Sequence, residues 1–281
     1  MNYLITGKNG QLARAFIKRF DERSFTYNAP DESRLDITDP KAVDDIVSAI
    51  KPGIIINCAA YNLVDKAEQE KDIVFAVNAK GPGNLARAAA RHNAQLVHFG
   101  SDYVFDGLKE EGLYTEKDAT HPLNEYGKSK LAGEEQVLET LDRSLVLRLS
   151  WVFGDGKQNF IYKLREWAQN NAYLKIACDE FSVPTWTETI VDVTLKALNQ
   201  GVTGRYHLTN SGYCSRYEWA KHILQCSGST KFIRPVTMDT FKLPAHRPKF
   251  SAMNNGALAA TLSTAIPPWE ESVREYVQKG I

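Results

Sequence analysis

The stretch that decides the fold is Asn2-Tyr-Leu-Ile-Thr6 followed at once by Gly7-Lys-Asn-Gly10-Gln-Leu-Ala13. Residues 2–6 read as a buried strand and residues 11–20 as a helix, with both glycines in the turn between them. Gly7 permits a tight turn, Gly10 lets a phosphate approach the backbone, and Ala13 is small enough for a helix to pack closely on a sheet. The helix N-terminus then offers free amides and partial positive charge to an anion. The spacing is GxxGxxA and not GxGxxG, so position matters more than pattern. Between the first strand and the first helix the turn reads as a dinucleotide site, with Gly7, Asn9, Gly10, Gln11 and Leu12 around the cofactor.

Outward from this unit, strand and helix signals keep alternating. Residues 25–27 read as a weak strand, and Pro40 opens a helix to about residue 51 after Thr38 or Asp39 as cap. Residues 53–57 read as a strand, 72–92 as one long helix, and 95–99 as a strand. A helix follows over 126–141 and a strand over 144–149. Continuous apolar strands spaced by helices imply a parallel sheet covered on both faces, so the expected fold is α/β, a Rossmann-type doubly wound sheet. Beyond residue 151 the pattern is less regular. Helices are expected over 159–170, 189–200 and 216–226, extended segments over 173–177 and 205–208, a loop over 241–255, and a last helix after Pro267-Pro268. We therefore expect a cofactor domain over 1–150. Residues 151–281 should form mainly a smaller substrate-binding lobe, with some segments returning to the first domain.

Composition narrows the function classes. The 34 basic and 34 acidic residues balance and no basic run stands out, which argues against nucleic acid as a partner. The four cysteines form no CxxC pair, and Cys58 lies in an apolar run as a small core residue. The six histidines show no ligand spacing, so no catalytic metal is expected. No stretch resembles a signal peptide or a membrane span, and the expectation is a reduced, cytoplasmic protein acting on a small molecule.

Tyr126-Gly-Lys-Ser-Lys130 places a phenol and an ammonium one helical turn apart. A phenol ordinarily ionises near ~10, and a neighbouring cation should draw it toward neutrality, readying it to hand a proton to a carbonyl oxygen. A YxxxK pair is common by chance on helices. It gains meaning from Ser101, which follows the predicted strand 95–99 and offers a hydroxyl to the same oxygen. Ser101, Tyr126 and Lys130 are the expected catalytic residues, and Lys130 also reaches a cofactor ribose.

The glycine turn, the strand-end serine and the Tyr/Lys pair, in this order, resemble the extended short-chain dehydrogenase/reductase family. Further segments narrow the likeness to the dTDP-4-dehydrorhamnose reductases: Leu35-Asp-Ile-Thr-Asp39, Asn57-Cys-Ala-Ala-Tyr-Asn62 with Val64-Asp-Lys-Ala-Glu68, Ser101-Asp-Tyr-Val-Phe-Asp-Gly107, Arg148-Leu-Ser-Trp-Val-Phe-Gly154 and Arg247-Pro-Lys-Phe-Ser251. The likeness covers essentially the whole chain. It implies NADPH or NADH as cofactor, a homodimer, and reduction of the C4 keto group of dTDP-4-dehydro-6-deoxy-L-mannose to dTDP-L-rhamnose. It also implies that Asp36 and Ile37 face the adenine and that Ala59, Ala60 and Tyr61 line the cofactor, with Asn78 supporting their loop. Asp102, Tyr103 and Phe105 would lie by the sugar, Trp151 on the base and Arg247 at the diphosphate. Some relatives bridge subunits through magnesium. Asp31 and Arg34 near the second strand favour opposite cofactors, and Lys8 inclines the balance to NADPH. Asp102 is followed by Tyr103 and not by the second acid of the sugar-nucleotide dehydratases, which favours plain reduction. Two departures stand out: Gly100-Ser101-Asp102 where the family often has Ser-Thr-Asp, and Ala13 for the commoner third glycine. A reductase of another 4-keto sugar nucleotide, and a non-catalytic regulatory subunit resembling the methionine adenosyltransferase β subunit, are the alternatives.

Overall fold

The computed structural model describes residues 2–280. Its centre is a parallel sheet of six strands: β1 (Asn2–Thr6), β2 (Thr26–Asn28), β3 (Ile54–Asn57), β4 (Gln95–Ser101), β5 (Ser144–Leu149) and a last strand, Gly204–His207. Reading from that last strand, the spatial order is β5, β4, β3, β1, β2. This is the doubly wound architecture the strand–helix alternation implies. Strand period puts Leu4, Ile55, Leu96 and Val146 in the core on one face, and Tyr3, Ile5, Ile54, Ile56, Val97, Phe99, Leu145 and Leu147 in the core on the other. Both faces are apolar because both are covered, and each fully buried Leu, Ile or Val contributes about 1.5–3 kcal/mol relative to exposure.

Helix α1 (Gln11–Glu22) buries Ala13, Phe16 and Phe20 against one face, joined there by the Thr187–Asn199 helix. On the other face lie α2 (Pro40–Ile50) and the Gly81–Arg91 and Glu125–Thr140 helices, through Val43, Val47, Leu85 and Val137. Asp39 caps α2, accepting from the Lys41 amide at 2.8 Å, with Pro40 where its missing N–H costs nothing.

The helix expected over 72–92 divides. An α turn, Lys71–Phe75, passes into a π-helical turn, Ala76–Lys80, and resumes as Gly81–Arg91. Pro82 has no N–H for the carbonyl one turn back, and the Gly81 amide bonds instead to Ala76 O, five residues earlier. The segment 241–255 is a loop, as expected, and is pinned at two points. Phe250 bridges to Phe181 and Met253 to Tyr114, strapping the C-terminal portion across the sheet's end. A separate core cluster around Trp219 includes Phe153, Leu164, Ile176 and Val273, while Ile190, Leu208 and Leu258 join the core of the sheet.

Candidate active site

The crossover from β2 back to β3 leaves a crevice at the carboxyl ends of β1 and β3, the place where open α/β sheets receive ligands. Gly7 ends β1 with φ +68°, and a Cβ there would lie 2.7 Å from the Ala59 backbone, so only glycine fits. Thr6 Oγ1 donates to Asn57 Oδ1 at 2.6 Å, and the Ala59 amide donates to the same oxygen at 3.2 Å, pinning the β1 and β3 ends together. Gly10 precedes α1 with no side-chain cap, which leaves the first amides of that helix free toward the crevice. This glycine cradle and uncapped helix fit a dinucleotide pyrophosphate.

Gly10, Gln11, Leu12, Ala59, Ala60, Ser101, Asp102, Tyr103, Tyr126, Lys130 and Trp151 all line one cleft. Tyr126 and Lys130 ride on the Glu125–Thr140 helix. Its cap, Asn124, accepts from the Gly127 amide at 2.8 Å and donates to His246 O at 2.7 Å, so the C-terminal strap holds the start of that helix. The Tyr126 hydroxyl donates to Asn62 Oδ1 at 3.5 Å, and the Tyr103 ring meets it edge-on at 5.8 Å. Asn78 supports the loop with both ends of its amide. It accepts from the Tyr61 amide at 2.8 Å and donates to Tyr61 O and to Ser129 Oγ, each at 3.0 Å.

The electrostatics differ from the expectation that Lys130 lowers the phenol. Burial pushes Tyr126 up to about 12; the Ser101 hydroxyl draws it down, while Asp102 and Glu134 push it up. The Lys130 ammonium is turned to Phe99 O at 2.6 Å, a carbonyl of β4, and burial brings it down to about 8 against the pull of Glu134. A raised phenol stays protonated at neutral pH, which is the form a carbonyl reduction requires.

Asp102 is more than a wall of the cleft. Its carboxylate accepts from Ser182 Oγ at 2.8 Å, Ser251 Oγ at 2.6 Å and Ser101 Oγ at 3.3 Å, and burial raises it to about 6. Ser251 belongs to the Arg247–Ser251 segment, so that motif ties the strap to the catalytic strand.

Other expected ligand-contact residues have partners within the protein. Phe105 is fully buried, stacked on Tyr114 at 4.1 Å, and is a core residue, because the short helical turn over Asp102–Val104 breaks strand alternation and leaves Val104 and Phe105 both inside. Arg247 grips Asp65 with two bonds, 3.0 and 2.7 Å. Asp36 accepts from the Thr38 amide and hydroxyl at 2.8 Å each, and the Ile37 side chain is buried against Gly81. The Tyr61 hydroxyl donates to Glu70.

Trp151 lines the cleft in a left-handed backbone conformation, φ +37°, stacked on Trp219 at 5.4 Å. The Arg216 guanidinium lies 3.6 Å from its ring centre and is itself held by Glu180 at 3.2 Å. Strain of this kind gathers at ligand sites. Asn62, Gln158 and Arg216 are residues that sequence reading did not single out. Asn62 closes a quoted motif, but Arg216 sits at an ordinary capped helix start and carries no local signal. All four cysteines are free, and no cluster of metal-ligating side chains occurs among the described residues.

The model of the RmlD substrate binding domain family matches residues 1–281. A protein of Mycolicibacterium smegmatis called dTDP-4-dehydrorhamnose reductase is 35% identical over 98% of this chain and 84% of its own length. The spore coat polysaccharide biosynthesis protein SpsK of Bacillus subtilis is 33% identical over 98% and 96%. Among solved structures, a dTDP-4-dehydrorhamnose reductase of Clostridium acetobutylicum superposes with a TM-score of 0.96 at 36% identity, covering 99% of both chains. One from Bacillus anthracis, in complex with NADP, gives 0.95 at 33% identity, again with 99% of both chains covered.

Proposed function

Because the chain belongs to the RmlD substrate binding domain family, as an NAD(P)-dependent reductase of 4-keto sugar nucleotides, we propose that it reduces the C4 keto group of dTDP-4-dehydro-6-deoxy-L-mannose to dTDP-L-rhamnose. The observation that carries the reading is the convergence of Ser101, Tyr126 and Lys130 in the cleft that the Gly7–Leu12 turn opens. The Gly7–Leu12 turn and the Ala59–Ala60 edge would hold the cofactor, and a bound nicotinamide supplies the hydride. Tyr126, protonated at neutral pH, gives its proton to the carbonyl oxygen as negative charge gathers there. Ser101 rotates from its long bond to Asp102 to donate to the same oxygen, and Lys130 stabilises the phenolate that remains. Residues 151–281 supply chiefly the substrate lobe, with Trp151 under the base, and two copies form the working unit.

The test is loss of nicotinamide absorbance when the protein meets NADPH and the 4-keto sugar nucleotide; no loss above background ends the proposal. A reductase of a different 4-keto sugar is the second reading. It is favoured by a 32% identical protein of Streptomyces antibioticus called a probable dTDP-4,6-dihydroxy-2-methyloxan-3-one 4-ketoreductase. Sugar stereochemistry rests on a few loop contacts, so a panel of keto-sugar nucleotides, each with NADH and NADPH, separates the two.

A further inference from the structure

Glu134 follows Lys130 by one helical turn and Tyr126 by two, so the three share a face of the Glu125–Thr140 helix. It is wholly buried. One carboxylate oxygen accepts from Arg148 Nε at 2.9 Å, with Arg205 at 3.8 Å behind. The other has no hydrogen-bond partner and lies against Gly100 of β4, where any Cβ would collide with it. Arg148, 1% exposed, is covered by the Phe105 ring at 5.2 Å. A buried ion pair seldom adds stability over apolar packing, so its place beside the catalytic lysine needs another reason.

The charges facing Lys130 supply it. Glu134 is the charged group that acts on the ammonium. From β4 the neighbour is His98, which burial keeps neutral, and on the same helix the Tyr126 phenol is neutral as well. Burial raises Glu134, and Arg148, from β5, and Arg205, from the last strand, face it and draw it back down. We propose that Glu134, backed by Arg148, is a positioning residue that keeps Lys130 an ammonium directed at the Phe99 carbonyl, and that Gly100 makes room for its carboxylate. The role in turnover rests on the reductase reading; the electrostatic assignment does not.

The experiment follows the Lys130 ε-methylene signal by NMR in protein carrying ¹³C-lysine, with Lys130→Met identifying the resonance. The wild-type midpoint should fall near 8. In Glu134→Gln it should drop by about a unit or more, since a close carboxylate is worth about that much. Glu134→Gln with Arg148→Met should show the same drop without leaving a lone buried charge, which covers the case in which the single variant does not fold. The basic limb of kcat/KM should move acidward in step. An unchanged midpoint in the double variant overturns the proposal and leaves the pair a packing feature. A shifted midpoint in a protein whose wild type turns over no keto sugar preserves the assignment and removes the function instead.

Discussion

The Ser251 hydroxyl donates to the Asp102 carboxylate at 2.6 Å, joining a C-terminal strap to the end of the catalytic strand. With Ser182 on the same oxygen, three distant segments close on one buried acid. The acid is raised to about 6, chiefly by burial, so the folded state takes up its proton before the unfolded chain does. Stability from this group is therefore greatest below the unfolded value and is lost as pH rises through about 6. Asp102→Asn should remove that slope. The wild-type minus variant stability, from denaturant curves between pH 4 and 7, should fall by about 2–3 kcal/mol across the window. A flat difference would remove Asp102 as the titrating group.

Tyr126→Phe deletes the proton donor and little else. Turnover should drop by about 10²–10⁴, the usual worth of a positioned acid, while NADPH still binds with unchanged affinity by fluorescence titration. Retained turnover would move the proton source to another group.

Gly7→Ala forces a side chain into the Ala59 backbone at a left-handed φ. Strain of about 1–3 kcal/mol is expected even before the overlap is relieved. Melting temperature should fall and NADPH affinity should weaken together, because the overlap pushes β3 away from the turn. Loss of one without the other would separate the turn from the cofactor cradle.

Arg247→Lys keeps the charge and loses the two-pronged grip on Asp65. We expect a loss of about 1 kcal/mol, and near-additivity should fail in a double-mutant cycle with Asp65→Asn. An additive cycle would mean the pair is not coupled and would return Arg247 to the diphosphate.

The sequence carried the sheet and the helices over it with little loss, since buried strands and amphipathic helices announce themselves by local period. It misjudged contacts that depend on direction. Phe105 and Tyr103 stand two apart, yet one fills the core and the other walls the cleft, because the chain turns into a short helix after Ser101. The Arg247 partner, Asp65, lies in a remote segment and left no local signal. The π-helical turn before Pro82 escaped for a similar reason, since a helix with one shifted hydrogen bond keeps nearly the same pattern of apolar residues.

What the amino-acid order settled alone is which residues must be glycine, which runs must be covered on both faces, and that a phenol and an ammonium ride one helix a turn apart. These follow from backbone sterics and from periods of two and 3.6 residues. The fold in space decided the electrostatics: that burial lifts Tyr126 and Asp102, and that Lys130 is turned to the Phe99 carbonyl. Desolvation and Coulomb energy depend on distances between segments far apart in the chain, and no local pattern contains them.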